Sequence, residues 1–140
     1  MTLDLPVLAE RAAGVERHLR RVRERLPADP AALEPMSDAS DAVILYLWQA
    51  VQIVIDLAVT ACVRLGLGSP PTYGDAFRRL AQAGHVDLAL AERLTRAAGF
   101  RNVVAHAYEA IDMARVHEAA SKGPGDLRAF LAVLRALGER

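Results

Sequence analysis

The stretch Ala42-Val43-Ile44-Leu45-Tyr46-Leu47-Trp48-Gln49-Ala50-Val51-Gln52-Ile53-Val54-Ile55-Asp56-Leu57-Ala58-Val59-Thr60-Ala61-Cys62-Val63-Arg64-Leu65 runs for 24 residues without proline or glycine. Such length and apolarity admit either a membrane span or the central helix of a bundle. Gln49, Gln52, Asp56 and Thr60 decide between them. They recur at steps of three, four and four, so they form one polar stripe along a greasy cylinder, with Asp56 near the middle of any span. The stretch reads as a bundle helix with no membrane contact, its stripe facing a cleft or a subunit boundary.

Upstream, Leu8, Ala12, Val15, Leu19, Val22 and Leu26 alternate steps of four and three, the stripe of an amphipathic helix. Its outer face carries Arg11, Arg17, Arg20, Arg21, Arg23 and Arg25 against Glu10, Glu16 and Glu24, with Glu16 and Arg20 placed for an i,i+4 pair. Pro27, Pro30 and Pro35 end it, and Asp38 or Ser40 caps the long helix. Downstream, Gly66 to Pro71 is a stop, and Thr72 caps a short helix with Asp75 in capping-box position. Asp87 opens another, ending at Gly99. Asp112 caps a run through Val116, Gly123-Pro124-Gly125 breaks it, and Asp126 caps a last helix with Leu127, Phe130, Leu131, Leu134 and Leu137 on one face. No alternating strand pattern occurs. The expected fold is all-α, an antiparallel bundle of four to six helices forming a single domain over residues 1–140.

Composition narrows function. Seventeen basic residues balance 17 acidic ones, so an anionic partner must be held by a local patch and not by the overall field. One cysteine, Cys62, permits no internal disulfide and reads as an inert buried thiol. The segment Met1-Thr2-Leu3-Asp4-Leu5-Pro6 has neither a basic leader nor an apolar run of signal length, which points to the cytoplasm. His18, His85 and His117 are scattered, so neither spacing nor clustering gives a metal site, and no cofactor is expected.

The densest chemistry lies in Gly99-Phe100-Arg101-Asn102-Val103-Val104-Ala105-His106-Ala107-Tyr108-Glu109. Arginine offers a charged fork for phosphate, histidine moves protons near neutral pH, and tyrosine carries a modifiable hydroxyl. On a helix from Arg101 to Glu109, Asn102 and His106 share a face and Arg101 and Tyr108 align two turns apart. Arg101 and His106 lie about 140° apart, so both serve one site only if it wraps the helix edge or the helix begins near Arg101. Gly99 makes that second arrangement plausible, with free backbone N–H groups beside Arg101 to attract phosphate.

Arg101-Asn102-Val103-Val104-Ala105-His106-Ala107-Tyr108 resembles the R-x4-H-x-Y signature of HEPN-domain proteins of the HepT type. The likeness extends to Val54-Ile55-Asp56-Leu57-Ala58, to Pro71-Thr72-Tyr73-Gly74-Asp75-Ala76-Phe77 and to Leu94 through Phe100, and covers roughly Ala42 to Leu134. The resemblance implies a HEPN-like bundle that forms a homodimer, with motifs of two protomers meeting in a metal-independent endoribonuclease site that acts on RNA. It also implies a toxin paired with an MNT-type nucleotidyltransferase antitoxin that adenylylates the motif tyrosine, here Tyr108.

Chemistry agrees with the dimer. Metal-free RNA cleavage needs a base for the ribose 2′-OH, an acid for the leaving 5′-oxygen and positive charge on the phosphate, whereas one chain supplies one motif histidine. Paired copies of His106 would be base and acid, paired Arg101 would hold the phosphate, and Asn102 would orient a histidine or the RNA. Asp56 is expected either to make a structural hydrogen bond or ion pair or, like Glu109, to support His106 by orienting it or raising its basicity. The alternative is a non-catalytic helical dimer that binds a nucleotide or the nucleotidyltransferase, since only Tyr108 among the few aromatics falls in the site.

Overall fold

The computed structural model describes residues 3–140; residues 1 and 2, where the segment examined for a leader begins, lie outside the described residues. Five α-helices account for most of the chain: α1 Leu5–Arg25, α2 Asp38–Arg64, α3 Tyr73–Gln82, α4 Leu88–His106 and α5 Met113–Gly138. Single 3-10 turns occupy Pro30–Ala32 and Tyr108–Ala110, and no strand occurs among the described residues.

Helix starts follow local chemistry. Asp4 accepts the Val7 N–H ahead of α1 and Thr72 accepts the Asp75 N–H ahead of α3, each satisfying an orphan donor of the first turn. For α2 the cap lies one residue earlier than expected. Ser37 Oγ accepts the Ser40 N–H and Ser40 Oγ accepts the Ser37 N–H, a reciprocal box in which Ser40 is the inner member and is fully buried.

α2 is long and apolar enough to cross a membrane by length and composition, yet it packs against each of the other four α-helices. Val43, Leu47, Ala50, Val54, Ala58 and Ala61 on its inner face are buried, while the opposite stripe leaves Asp56 and Thr60 exposed. That stripe also exposes Leu45 and Val63, at 49% and 53%. Burial of α2 against protein on one face and a mixed polar stripe on the other is the pattern of a core helix. Phe77 of α3 and Phe130 of α5 meet edge to face, centroids 5.3 Å apart, and close the core on that side. Cys62 is buried as expected, its thiol donating to the Ala76 carbonyl at 3.3 Å and pushed up in pKa by burial.

Two expected breaks do not break. α4 continues through Gly99, which is exposed with nothing near its absent Cβ, so the glycine costs the helix only about 1 kcal/mol. α5 continues through Gly123-Pro124-Gly125, and Asp126 caps nothing: it lies mid-helix and pairs with Arg93 of α4 at 3.0 Å. Val116 and Ala120 before the proline and Leu127 and Phe130 after it are all buried, and anchoring on both sides outweighs the lost hydrogen bond of one proline. Glu16 does not pair with Arg20. It takes the Arg128 guanidinium of α5 in two hydrogen bonds, 2.8 and 3.2 Å, which lowers the glutamate's pKa, and Arg20 turns to Glu24.

Candidate active site

α4 carries the motif on its last two turns and delivers it alongside the polar stripe of α2. Because α4 is continuous, Arg101 is an interior residue and not a helix start, so the backbone phosphate cradle expected beside it does not exist. Its side chain reaches across to α2 instead. Arg101 Nε donates to Gln52 Oε1 at 2.6 Å, and Gln52 Nε2 donates to Asp56 Oδ1 at 2.9 Å. The guanidinium carbon lies 5.6 Å from the Trp48 ring centroid and 5.3 Å from that of Tyr73. Stacking over aromatic faces is worth roughly 0.5–2 kcal/mol and fixes the plane of the fork. Nη1 donates to Asn102 Oδ1 at 3.3 Å, while Nη2 has no acceptor among the described residues. The result is a cation held by residues of α2, α3 and α4 with one end of the fork free for a phosphate oxygen.

Asp56 therefore steadies Arg101 through Gln52 and makes no hydrogen bond to His106. Gln52, Trp48 and Tyr73 are site residues that the motif alone does not name. The polar stripe that includes Gln52 was the signal for it. Nothing local pointed to the two aromatics.

His106 is the last residue of α4 and is exposed, with no hydrogen-bond partner among the described residues. Asn102 is also exposed, one turn before it on the same face. Arg101 and His106 stay about 140° apart around α4. Ala107, at φ −145° and ψ 43°, ends the helix, so the helix does not continue through Glu109. Tyr108 and the exposed Glu109 fall in the 3-10 turn, and Tyr108 no longer stacks above Arg101. The turn sends the Tyr108 hydroxyl back to the first turn of α2, where it donates to Asp41 Oδ1. Burial, the hydrogen bond to Asp41 and that residue's negative charge together push the Tyr108 pKa up to about 12.

Tyr108 and Asp41 close one end of a groove of about 380 Å³ between α2 and α4, lined further by Ile44, Leu45, Trp48, Val104 and Ala105. No group of three or more His, Cys, Asp or Glu side chains suited to a metal ion occurs among the described residues.

The raised Tyr108 pKa has a measurable consequence. Asp41→Ala removes the acceptor and its charge while leaving the burial, so the highest tyrosinate transition in an absorbance titration is expected to fall from about 12 toward, but not to, the ordinary 10. An unchanged transition would contradict the pairing. The sign for stability follows: the fold favours protonated Tyr108, so this contribution is whole below about pH 10 and is lost between about 10 and 12.

Residues 15–134 match the family described as Ribonuclease HepT-like, and the chain belongs to that family. It is 25% identical over 130 residues to the mRNA nuclease HepT of Shewanella oneidensis, covering 93% of this chain and 97% of that protein. Among solved structures it is similar to a tri-AMPylated Shewanella oneidensis HEPN toxin in complex with MNT antitoxin, with TM-score 0.83, 25% identity, and coverage of 93% of this chain and 97% of that one. A toxin–antitoxin complex with AMP-PNP has the same fold, with TM-score 0.85, 24% identity, and coverage of 94% and 98%.

Proposed function

We propose that this chain is the toxin of a toxin–antitoxin pair, a metal-independent endoribonuclease of the cytoplasm that works as a homodimer and is silenced by an MNT-type nucleotidyltransferase through AMP on Tyr108. The observation that carries the reading is the division of labour in one chain. Arg101 is braced by Gln52, Trp48 and Tyr73 with Nη2 free, whereas His106 and Asn102 stand exposed on another face. A lone histidine cannot be base and acid at once. A second copy would supply the other, and the exposed Leu45, Val63 and Val103 give such a dimer apolar surface to bury.

In the assembled site one His106 takes the proton of the 2′-OH. The 2′-oxygen attacks the adjacent phosphorus, the P–O5′ bond breaks, and the other His106 protonates the leaving oxygen. Arg101 neutralises the charge that builds on the non-bridging oxygens. Asn102, one turn from His106 and already bonded to Arg101, keeps the two in register.

Adenylylation fits the Tyr108 seat. A phosphodiester on Tyr108 has no proton for Asp41 and places a negative charge beside that carboxylate, so Tyr108 must leave its seat and swing bulk toward the groove. Family membership and the AMP-bearing Shewanella toxin support this route. The test is to co-express the chain with its nucleotidyltransferase and weigh the intact protein. A mass increase of one or more adenylates that disappears in Tyr108→Phe is expected; neutralisation with no added mass would overturn the modification route in favour of simple masking.

A further inference from the structure

α1 holds six arginines against three glutamates in a molecule of no net charge, the largest positive excess of any of the five α-helices. Part of it is ordered by an aromatic ring. The Arg21 and Arg25 guanidinium carbons lie 5.2 and 5.5 Å from the centroid of the Tyr46 ring of α2. Arg21 Nη1 donates to Tyr46 Oη at 3.3 Å, and Arg25 Nη1 donates to the Arg21 carbonyl at 3.4 Å. His18 stacks on the same ring, centroids 6.1 Å apart and planes 21° from parallel. Its pKa is lowered by burial and by the neighbouring Arg17 and Arg21, so it lends shape and not charge near neutral pH.

Arg21 has no carboxylate within ion-pair reach among the described residues, and Arg25 has only the loose, exposed contact with Glu24 at 4.0 Å. Two guanidiniums are thus held in place without being neutralised. Tyr46 lies two positions before Trp48, which supports Arg101 from a different side of the same helix. The arginine pair and the catalytic arginine therefore flank α2, with exposed Leu45 between them on the helix surface.

We propose that Arg21, Arg25 and Tyr46 form a second RNA-binding surface, holding phosphates of the single-stranded segment that leads away from the scissile bond across α2. The proposal rests on the ribonuclease reading above. RNA suits the surface better than a protein partner does. Protein interfaces also use arginine, but their cores are depleted of charge and filled by apolar or aromatic side chains, and here the aromatic ring is already covered by cations. Planar stacked guanidiniums with free N–H groups match phosphates and base faces.

The test uses the full-length chain carrying His106→Ala, which should bind RNA without cutting it, and a fluorescent single-stranded RNA of about twelve nucleotides, within the span such surfaces occupy. Adding Arg21→Ala and Arg25→Ala should weaken binding about tenfold near 0.1 M salt and flatten the logarithmic salt dependence by about 1.4, or about 0.7 for each lost phosphate contact. Tyr46→Leu, which keeps both charges but removes their support, should weaken binding by a smaller factor. Arg135→Ala with Arg140→Ala is the charge-matched control. It sits at the end of α5 where Gly138 packs on Leu5, some 24–30 Å along α1 from Arg21 and Arg25, and should bind as the parent does.

Circular dichroism must show the parent helicity throughout. An Arg21/Arg25 variant that binds like its parent, or a control that loses as much, overturns the proposal. Unchanged RNA binding with loss of the nucleotidyltransferase complex would assign the patch to a protein partner, also overturning it. A parent that binds no RNA at all overturns the ribonuclease reading itself, and this surface with it.

Discussion

Replacing His106 with alanine is expected to lower RNA cleavage by at least about a hundredfold, and by up to about ten-thousandfold, while leaving the unfolding midpoint unchanged. The size follows from proton transfer. Without the imidazole, neither the 2′-OH nor the leaving oxygen has a positioned partner, and solvent water must serve both. The silence on stability follows from position. His106 ends α4, is exposed, and has no hydrogen-bond partner among the described residues, so truncation removes little packing. Cleavage assayed in EDTA beside a thermal or urea melt checks both halves. A variant that still cuts within a few-fold of the parent would remove His106 from the chemistry, and one that melts early would make it structural.

The opposite profile is expected at Phe130. Its ring is fully buried and meets Phe77 at 5.3 Å, joining α5 to α3. Phe130→Ala leaves a cavity that rigid neighbours fill only in part, costing about 3–5 kcal/mol. That is a large fraction of the roughly 5–15 kcal/mol available to a domain. Urea unfolding should show the midpoint falling by about a fifth or more with little change in slope. A loss below about 1 kcal/mol would mean that α5 is not seated on the core as described. Because the proline at 124 relies on burial either side of it, the same variant should weaken protection of α5 amides most around Gly123 to Gly125.

Much of the bundle was legible in residue spacing. The stripe from Leu8 to Leu26 and the 24 unbroken residues from Ala42 fixed α1 and α2 because their patterns are long and their caps local. The unbroken helices at Gly99 and at Gly123-Pro124-Gly125 share one cause. Glycine and proline report local cost, and tertiary burial outweighed it. A signal was present for α5: Val116, Ala120, Leu127, Leu131 and Leu134 continue one stripe in register across the supposed break.

The candidate site was legible in part. Arg101, Asn102 and His106 stood out by type and spacing, and the 140° separation already made a self-contained site awkward. What surrounds them was not readable, because it comes from far along the chain. Gln52 meets Arg101 from 49 residues away and Asp41 meets Tyr108 from 67 away. Asp56 shows the difference between spacing and contact: its place on the stripe was right, but its carboxylate works on Gln52 and through it on Arg101, not on His106.

The central claim is that one RNA-cutting site takes a histidine from each of two chains. The most direct measurement is the activity of a mixed dimer with one parent chain and one His106→Ala chain, isolated by two different affinity tags and assayed in EDTA. A shared site lacks its base or its acid in such a dimer, which predicts activity at least about a hundredfold below the parent. Retention of about half the parent activity would show that each chain cuts RNA with its own histidine, and would contradict the account.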